Sequence, residues 1–150
     1  MSPSVRDAGL DDLPHIVDFQ LALARETEDK PLDPETVTEG VRRLHAMPQA
    51  GFYLVAELDD VVAGSLMVTP EWSDWRNGWF WWVQSVYVAA PFRRRGVYRA
   101  LYDAVKSRAR AAPDVLGFRL YVERNNDGAR STYERLGMVE TEYRLYEEGA

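Results

Sequence analysis

The sequence contains no cysteine, and this absence excludes several kinds of chemistry. No disulfide bond, thiolate metal ligand or cysteine nucleophile is available. A chain without disulfides suits the reducing cytoplasm, where we expect the protein to act. Histidine is also scarce, since His15 and His45 are the only two. They are isolated from each other and show no ligand spacing, so we expect no metal site.

The chain also lacks a long apolar run and an excess of basic residues. No segment approaches the ~20 apolar residues of a membrane-spanning helix, and the first residues show no apolar signal core. The 18 lysines and arginines are outnumbered by 24 aspartates and glutamates, which gives a net charge of -6. Nucleic-acid-binding domains are usually basic. We therefore expect neither a membrane nor a nucleic acid as a partner.

What the sequence does contain is a series of strand and helix patterns in a single domain, 1-150. Asp33 followed by Pro34 is a strong helix start, and two apolar runs joined at Asp59-Asp60 predict a hairpin. The predicted strands are 4–8, 52–58, 61–68, 79–88, 117–123 and 139–146, and the predicted helices begin at an Asp11 N-cap, at 34, at 97 and at 127. The order β-α-α-β-β-β-α-β-α-β predicts a three-layer α/β fold, with a mixed central sheet and helices on both faces.

The most informative segment lies between the long strand and the helix from Val97. It places Arg93, Arg94 and Arg95 and then Gly96 directly before a helix start. A helix start presents unpaired backbone N–H groups and the positive end of the helix dipole. Phosphate groups bind readily at such a position. The segment therefore predicts a site for a phosphorylated cofactor, with an exposed basic turn as the alternative.

A second segment completes the pattern, and together the two resemble the motifs of the GNAT (Gcn5-related) N-acetyltransferases. The first family motif, Arg/Gln-x-x-Gly-x-Gly/Ala, corresponds to Arg93-Arg94-Arg95-Gly96-Val97-Tyr98. The second, Asn-x-x-Ala-x-x-x-Tyr-x-x-x-Gly-Phe, corresponds to Asn126-Asp127-Gly128-Ala129-Arg130-Ser131-Thr132-Tyr133-Glu134-Arg135-Leu136-Gly137-Met138. The chain departs from the family at Tyr98, where the motif has a small residue, and at Met138, where it has phenylalanine.

The resemblance implies a GNAT-like fold and acetyl-CoA as the cosubstrate, without a metal. The main chain of Val86 and Val88 would bind the pantetheine arm, residues 94–99 would surround the pyrophosphate, and Tyr133 would protonate the leaving thiolate. The implied cofactor-binding residues are Val86, Tyr87, Val88, Arg93, Arg94, Arg95, Gly96, Val97, Tyr98, Arg99, Asn126 and Tyr133. Tyr133 as a core residue and Asn126 as a helix cap are the structural alternatives.

The general base and the acceptor site are less defined by the sequence. Glu26 and Glu28 are the preferred candidates for the general base and for acceptor binding, because the loop between the first two helices borders the acceptor site in this family. Glu71, Asp74 and Glu123 are further candidates for the base. The long strand suggests Trp82 and Gln84 as acceptor-binding residues. The tryptophans at 72, 75, 79, 81 and 82 form either a core or dimer surface, or an aromatic wall for the acceptor.

The main hypothesis is an acetyl-CoA-dependent N-acetyltransferase in which a primary amine attacks the thioester directly. The acceptor is a small-molecule amine, which we favour, or a peptide, and a homodimer remains open. One alternative is a non-catalytic acyl-CoA-binding or regulatory module on the same fold. Another is a protein-interaction module that uses the tryptophan-rich strand.

Overall fold

The computed structural model describes residues 1–150 and contains one mixed five-stranded sheet. The strands are β1 (Ser4–Asp7), β2 (Phe52–Leu58), β3 (Val61–Ser73), β4 (Gly78–Val88) and β5 (Val115–Arg119). The helices are α1 (Leu13–Glu28), α2 (Pro34–His45), α3 (Val97–Ala111) and α4 (Asp127–Arg135). The strands lie in the order β1-β2-β3-β4-β5, and every neighbouring pair is antiparallel except the parallel pair β4–β5.

Helices cover both faces of the sheet, which confirms the predicted three-layer α/β architecture. Adjacent strand residues point to opposite faces, and β2 shows this with Leu54 and Val55, both fully buried. Val55 packs in a cluster with α1 and α2, whereas Leu54 packs in a larger cluster with α3. The sheet is therefore the middle layer, and burial of these apolar faces holds the three layers together.

The two predicted helix caps have different outcomes. Asp33 caps α2 as expected, because its carboxylate accepts the backbone N–H of Thr36 at 3.1 Å. The prediction of Asp11 as the N-cap of the first helix was wrong, because a short 3-10 helix spans Leu10–Asp12 and α1 begins at Leu13. The buried carboxylate there belongs to Asp12, which accepts two hydrogen bonds from Arg6 at 2.6 and 3.0 Å.

The last predicted strand, 139–146, was also wrong. Its apolar and polar residues alternate, but a strand also requires a neighbouring backbone with which to pair. β5 ends at Arg119, earlier than the predicted 117–123, and no strand of the sheet pairs with residues 139–146. The side chains of Val139, Tyr143 and Leu145 are consequently mostly exposed.

A bulge in β4 and the short pairing of β4 with β5 create the opening in which the site lies. Tyr87 pairs with Ser65 and Gln84 with Met67, so that two β4 residues oppose one residue of β3. Ser85 in this bulge has a positive φ of 53°, and such bulges bend a strand locally. Pairing between β4 and β5 stops at Trp82 and Arg119. Beyond this point the two strands are no longer bonded to each other.

Candidate active site

A cavity of about 250 Å³ occupies the opening between β4 and the chain that follows β5. We call it the inner cavity. Six of the residues predicted for the site line it, namely Glu28, Gln84, Val86, Glu123, Asn126 and Tyr133. They come from α1, β4 and the α4 region, which are distant in the sequence. The fold thus brings together a large part of the predicted site.

The loop before α3 presents a row of unpaired backbone donors. The six N–H groups of residues 94–99 donate to no acceptor in the protein, and the first hydrogen bond of α3 runs from Ala100 N–H to Gly96 at 3.0 Å. Gly96 has a φ of 82°, which glycine adopts without strain. Arg94 also has a positive φ, of 63°. Consecutive donors at a helix N-terminus make an anion-binding site.

The three arginines of this loop differ in their partners. Arg93 donates to the carbonyl of Val88 at 2.9 Å and to the carboxylate of Glu26 at 2.6 Å. Arg95 donates to Asp59 at 3.0 Å. The guanidinium of Arg94 makes no hydrogen bond or ion pair within the protein and is exposed. Arg93 therefore anchors the loop, whereas Arg94 is free to contact a ligand.

Glu26 and Glu28, predicted as a pair, lie in different environments. Two residues along a helix are about 200° apart around its axis, and only Glu28 lines the inner cavity. Glu26 instead accepts hydrogen bonds from the Tyr87 hydroxyl and from Arg93, and these bonds lower the pKa of its carboxylate. A carboxylate with a lowered pKa is a weaker proton acceptor. Glu26 thus links α1 to β4 and to the arginine loop.

Tyr133 lies on α4 and lines the inner cavity, which residues 83–86 of β4 also line. Its side chain is half-buried, and burial raises the pKa of its hydroxyl above the usual value. The hydroxyl is therefore protonated at neutral pH and able to donate a proton. Asn126 caps α4 through its side-chain oxygen, which accepts the N–H of Ala129 at 3.2 Å.

Tyr98, the departure from the first motif, turns its ring into the protein interior. The ring stacks on Tyr102 with centroids 5.9 Å apart and meets Tyr133 edge-on at 5.5 Å. Its hydroxyl is buried without a hydrogen-bond partner, and burial raises its pKa. The large side chain thus packs among other rings of the core, and the backbone donors of the loop stay open.

A second and larger cavity, of about 910 Å³, lies at the opposite end of β4. We call it the aromatic cavity, since its lining includes Trp72, Trp75, Trp82 and Tyr121. Four residues line both cavities, namely Leu120, Tyr121, Val122 and Tyr133, so the two cavities are adjacent along this segment and α4. Trp81 faces the other way and packs on Phe52 at the core, with ring centroids 5.4 Å apart.

Sequence reasoning missed the polar centre of the aromatic cavity. Glu71 accepts hydrogen bonds from the indole N–H of Trp82 and from Arg119, both at 2.9 Å. Glu71 was one of several candidates for the general base, but nothing in the sequence indicated Arg119 as its partner. The contact depends on the parallel pairing of β4 with β5, which no local pattern reveals. Only the tertiary structure identifies this group.

No helix is both long and apolar enough to cross a membrane. No group of three or more histidine, aspartate or glutamate side chains is arranged to hold a metal ion.

Comparison with known proteins agrees with this geometry. The model of the acetyltransferase (GNAT) family matches residues 18–138. A possible acetyltransferase from Clostridium difficile 630 is 42% identical over 100% of this chain and 99% of its own, with a TM-score of 0.91. A predicted acetyltransferase from Clostridium acetobutylicum, solved with acetyl-CoA, is 14% identical over 97% of this chain and 96% of its own, with a TM-score of 0.79. No curated protein sequence matches significantly. From the family model and the 42% identical relative, we conclude that the chain belongs to the GNAT acetyltransferase family.

Proposed function

We propose that the protein is an acetyl-CoA-dependent N-acetyltransferase that acetylates a primary amine, preferably a small molecule. The observation that carries this proposal is the row of unpaired N–H groups at residues 94–99, close to the opening between β4 and β5. The row suits a pyrophosphate, and the free side chain of Arg94 suits a further phosphate. The opening suits an extended arm that would bond to the main chain at Val86.

In the proposed reaction, the uncharged nitrogen of the amine attacks the thioester carbon. A carbon–nitrogen bond forms, the carbon–sulfur bond breaks, and the thiolate takes the proton of the Tyr133 hydroxyl. The amine nitrogen loses one proton, which returns through water to the tyrosinate. The products are an amide and a free thiol, and the protons balance. General acid catalysis of this kind typically contributes roughly 10²–10⁴-fold to the rate.

We assign the relay of the amine proton to Glu28 rather than to Glu26. Glu28 lines the inner cavity together with Tyr133, whereas the carboxylate of Glu26 is already occupied by Tyr87 and Arg93. A water molecule between the amine and Glu28 would complete the path of the proton. Many amines need little further assistance near their own pKa, because much of the amine is already uncharged there.

Calorimetric titration with acetyl-CoA, followed by a thiol-release assay with a panel of amines, tests the proposal. We expect binding that weakens by at least about tenfold in Arg94→Ala/Arg95→Ala, since each arginine can make a charge-assisted hydrogen bond to phosphate. Arg110→Ala is the matched control, because Arg110 is an exposed arginine at the far end of α3.

The remaining outcomes separate the alternatives. Binding of acetyl-CoA without thiol release from any amine would favour a non-catalytic acyl-CoA-binding module. Absence of binding would overturn the proposal and favour an interaction module that uses the exposed tryptophans.

A further inference from the structure

Part of the sheet carries polar and aromatic side chains on the face that α1 and α2 cover elsewhere. Thr69 lies opposite Trp82, and Glu71 lies opposite Phe80. Gln84 belongs to the same face, since its amide donates to the hydroxyl of Thr69. This row of side chains leads from the bulge in β4, where the inner cavity lies, toward the aromatic cavity.

Glu71 is held in place but keeps one oxygen free. Its Oε1 accepts both the indole N–H of Trp82 and the guanidinium of Arg119, whereas its Oε2 accepts no hydrogen bond from the protein. The side chain is 45% exposed. A carboxylate fixed by two donors on one oxygen can receive a further donor on the other without rearranging.

The lining of the aromatic cavity is on balance acidic, although Arg119 and Arg76 both lie over the ring of Phe80, opposite Glu71. Acidic side chains around the aromatic cavity outnumber basic ones: Glu71, Asp74, Glu134 and Glu140 against Arg76, Arg119 and Arg130. Two of these acids are paired with two of the bases, Glu71 with Arg119 and Glu140 with Arg130 at 3.8 Å, which leaves Asp74 and Glu134 against Arg76. Ring faces also attract cations, and Trp82 and Tyr121 lie side by side with centroids 5.7 Å apart.

The spacing along β3 gives the distance between this acidic group and the reaction site. Glu71 lies two residues beyond Thr69, which bonds to Gln84 at the inner cavity. Two residues of an antiparallel strand span about 7 Å. A ligand that reaches from Gln84 to Glu71 would therefore separate its two functional ends by about this distance.

We propose that the aromatic cavity binds the distal end of a diamine acceptor, whose second ammonium group is received by Oε2 of Glu71. The inference rests on the proposed function, because the first amino group of the diamine is the one acetylated near Tyr133. The cavity volume of about 910 Å³ is ample for such a chain. Glu71 is thus a specificity-determining residue, and Trp82 and Arg119 position it.

A set of amines with one chain length and different ends tests this inference. Cadaverine ends in a second ammonium group, pentylamine in a methyl group and aminocaproate in a carboxylate. For the unmodified protein with acetyl-CoA, we expect kcat/KM of thiol release to be about tenfold higher with cadaverine than with pentylamine, and lowest with aminocaproate.

Glu71→Gln should remove the preference for cadaverine over pentylamine, measured as the ratio of the two kcat/KM values. Glutamine retains an oxygen for Trp82 and Arg119, so the local fold is preserved. Glu134→Gln is the matched control, a carboxylate of the same cavity that lies on α4, and it should keep the preference. An unchanged preference in Glu71→Gln, or a preference for aminocaproate, would overturn the inference.

Calorimetric binding of cadaverine separates this inference from the proposed function. If cadaverine binds in a Glu71-dependent manner but no amine releases thiol, the transferase reaction fails and the diamine site stands. If thiol is released but cadaverine has no advantage over pentylamine, the reaction stands and the diamine site fails.

Discussion

At the Val88 end of β4 the protein offers backbone donors to a ligand, whereas at the Trp79 end it offers side chains. The first end continues directly into the arginine loop and α3, where unpaired N–H groups follow one another along the chain. The second end gathers Glu71 from β3, Trp82 from β4 and Arg119 from β5. One of the two proposed ligand sites is therefore local in sequence, and the other is assembled by the sheet.

This difference predicts that the two ends respond differently to sequence change. Backbone donors exist whatever the side chain is, so Tyr98 can replace a small residue while its ring packs on Tyr102. A site made of side chains changes its preference with each substitution. We infer that the Val88 end serves the cosubstrate common to the family and that the Trp79 end selects the acceptor. Tyr133 is one of the four residues that line both cavities.

The largest effect should come from Tyr133→Phe, which removes the phenolic hydroxyl. We expect kcat to fall at least about 100-fold, because the leaving thiolate loses its proton donor, while the Kd for acetyl-CoA stays nearly unchanged. Thiol-release assays measure kcat, and calorimetry measures the Kd for acetyl-CoA. Tyr98→Phe removes the neighbouring buried hydroxyl, which has no partner, and should leave kcat unaffected.

The pH profile gives a second measurement of the same role. Because burial raises the pKa of Tyr133, the acid stays protonated beyond the ordinary tyrosine value of about 10. The rate should therefore rise with pH as the amine loses its proton, without a fall below about pH 10. An unchanged kcat in Tyr133→Phe, or equal losses in both tyrosine variants, would show that Tyr133 is a packing residue.

The same contrast between local and assembled features decides how much the sequence could predict. Asp33-Pro34 marked the start of α2 because a cap and a proline act on the adjacent backbone. The loop from Arg93 to Gly96 could be predicted for the same reason, since its donors belong to consecutive residues. Most of the layer order followed from apolar periodicity.

The predictions that failed concerned contacts between residues distant in the sequence, or backbone conformations that no sequence pattern indicates. Residues 139–146 alternate like a strand but find no strand to pair with. Ser85 adopts a positive φ of 53°, which a serine in the sequence does not indicate. Glu71 and Arg119 are 48 residues apart and meet only through the sheet. The sequence could not distinguish Glu26 from Glu28, because only the orientation of α1 around its axis shows which side chain faces the inner cavity.

Glu26→Gln should produce a smaller effect, at the Val88 end alone. Arg93 would lose its charged partner, and the loop that carries the backbone donors would be held less firmly. Since the Glu26 side chain is 42% exposed, we expect the Kd for acetyl-CoA, measured by calorimetry, to rise only about threefold. Glu28→Gln is the matched control and should leave this Kd unchanged while it slows turnover.

The lowered pKa of Glu26 fixes the pH range of this contact. A carboxylate whose pKa is depressed by folding contributes fully above its unfolded pKa of about 4.3, and the contribution is lost as the pH falls through the lower folded value. The Kd for acetyl-CoA should therefore not change through this contact between pH 7 and 5. A weakening near pH 6 that disappears in Glu26→Gln would contradict the assignment.

The smallest effect on stability should come from Trp75→Ala at the Trp79 end. Its side chain is 87% exposed, and exposed substitutions usually change the free energy of unfolding by less than about 0.5 kcal/mol. Trp81→Ala is the contrasting variant, since Trp81 packs against the core, and it should cost about 3 kcal/mol in urea unfolding. A large loss from Trp75→Ala would mean that the aromatic end holds the fold together. A small loss of stability accompanied by a raised KM for the amine would mean that the exposed tryptophans of this end bind the acceptor.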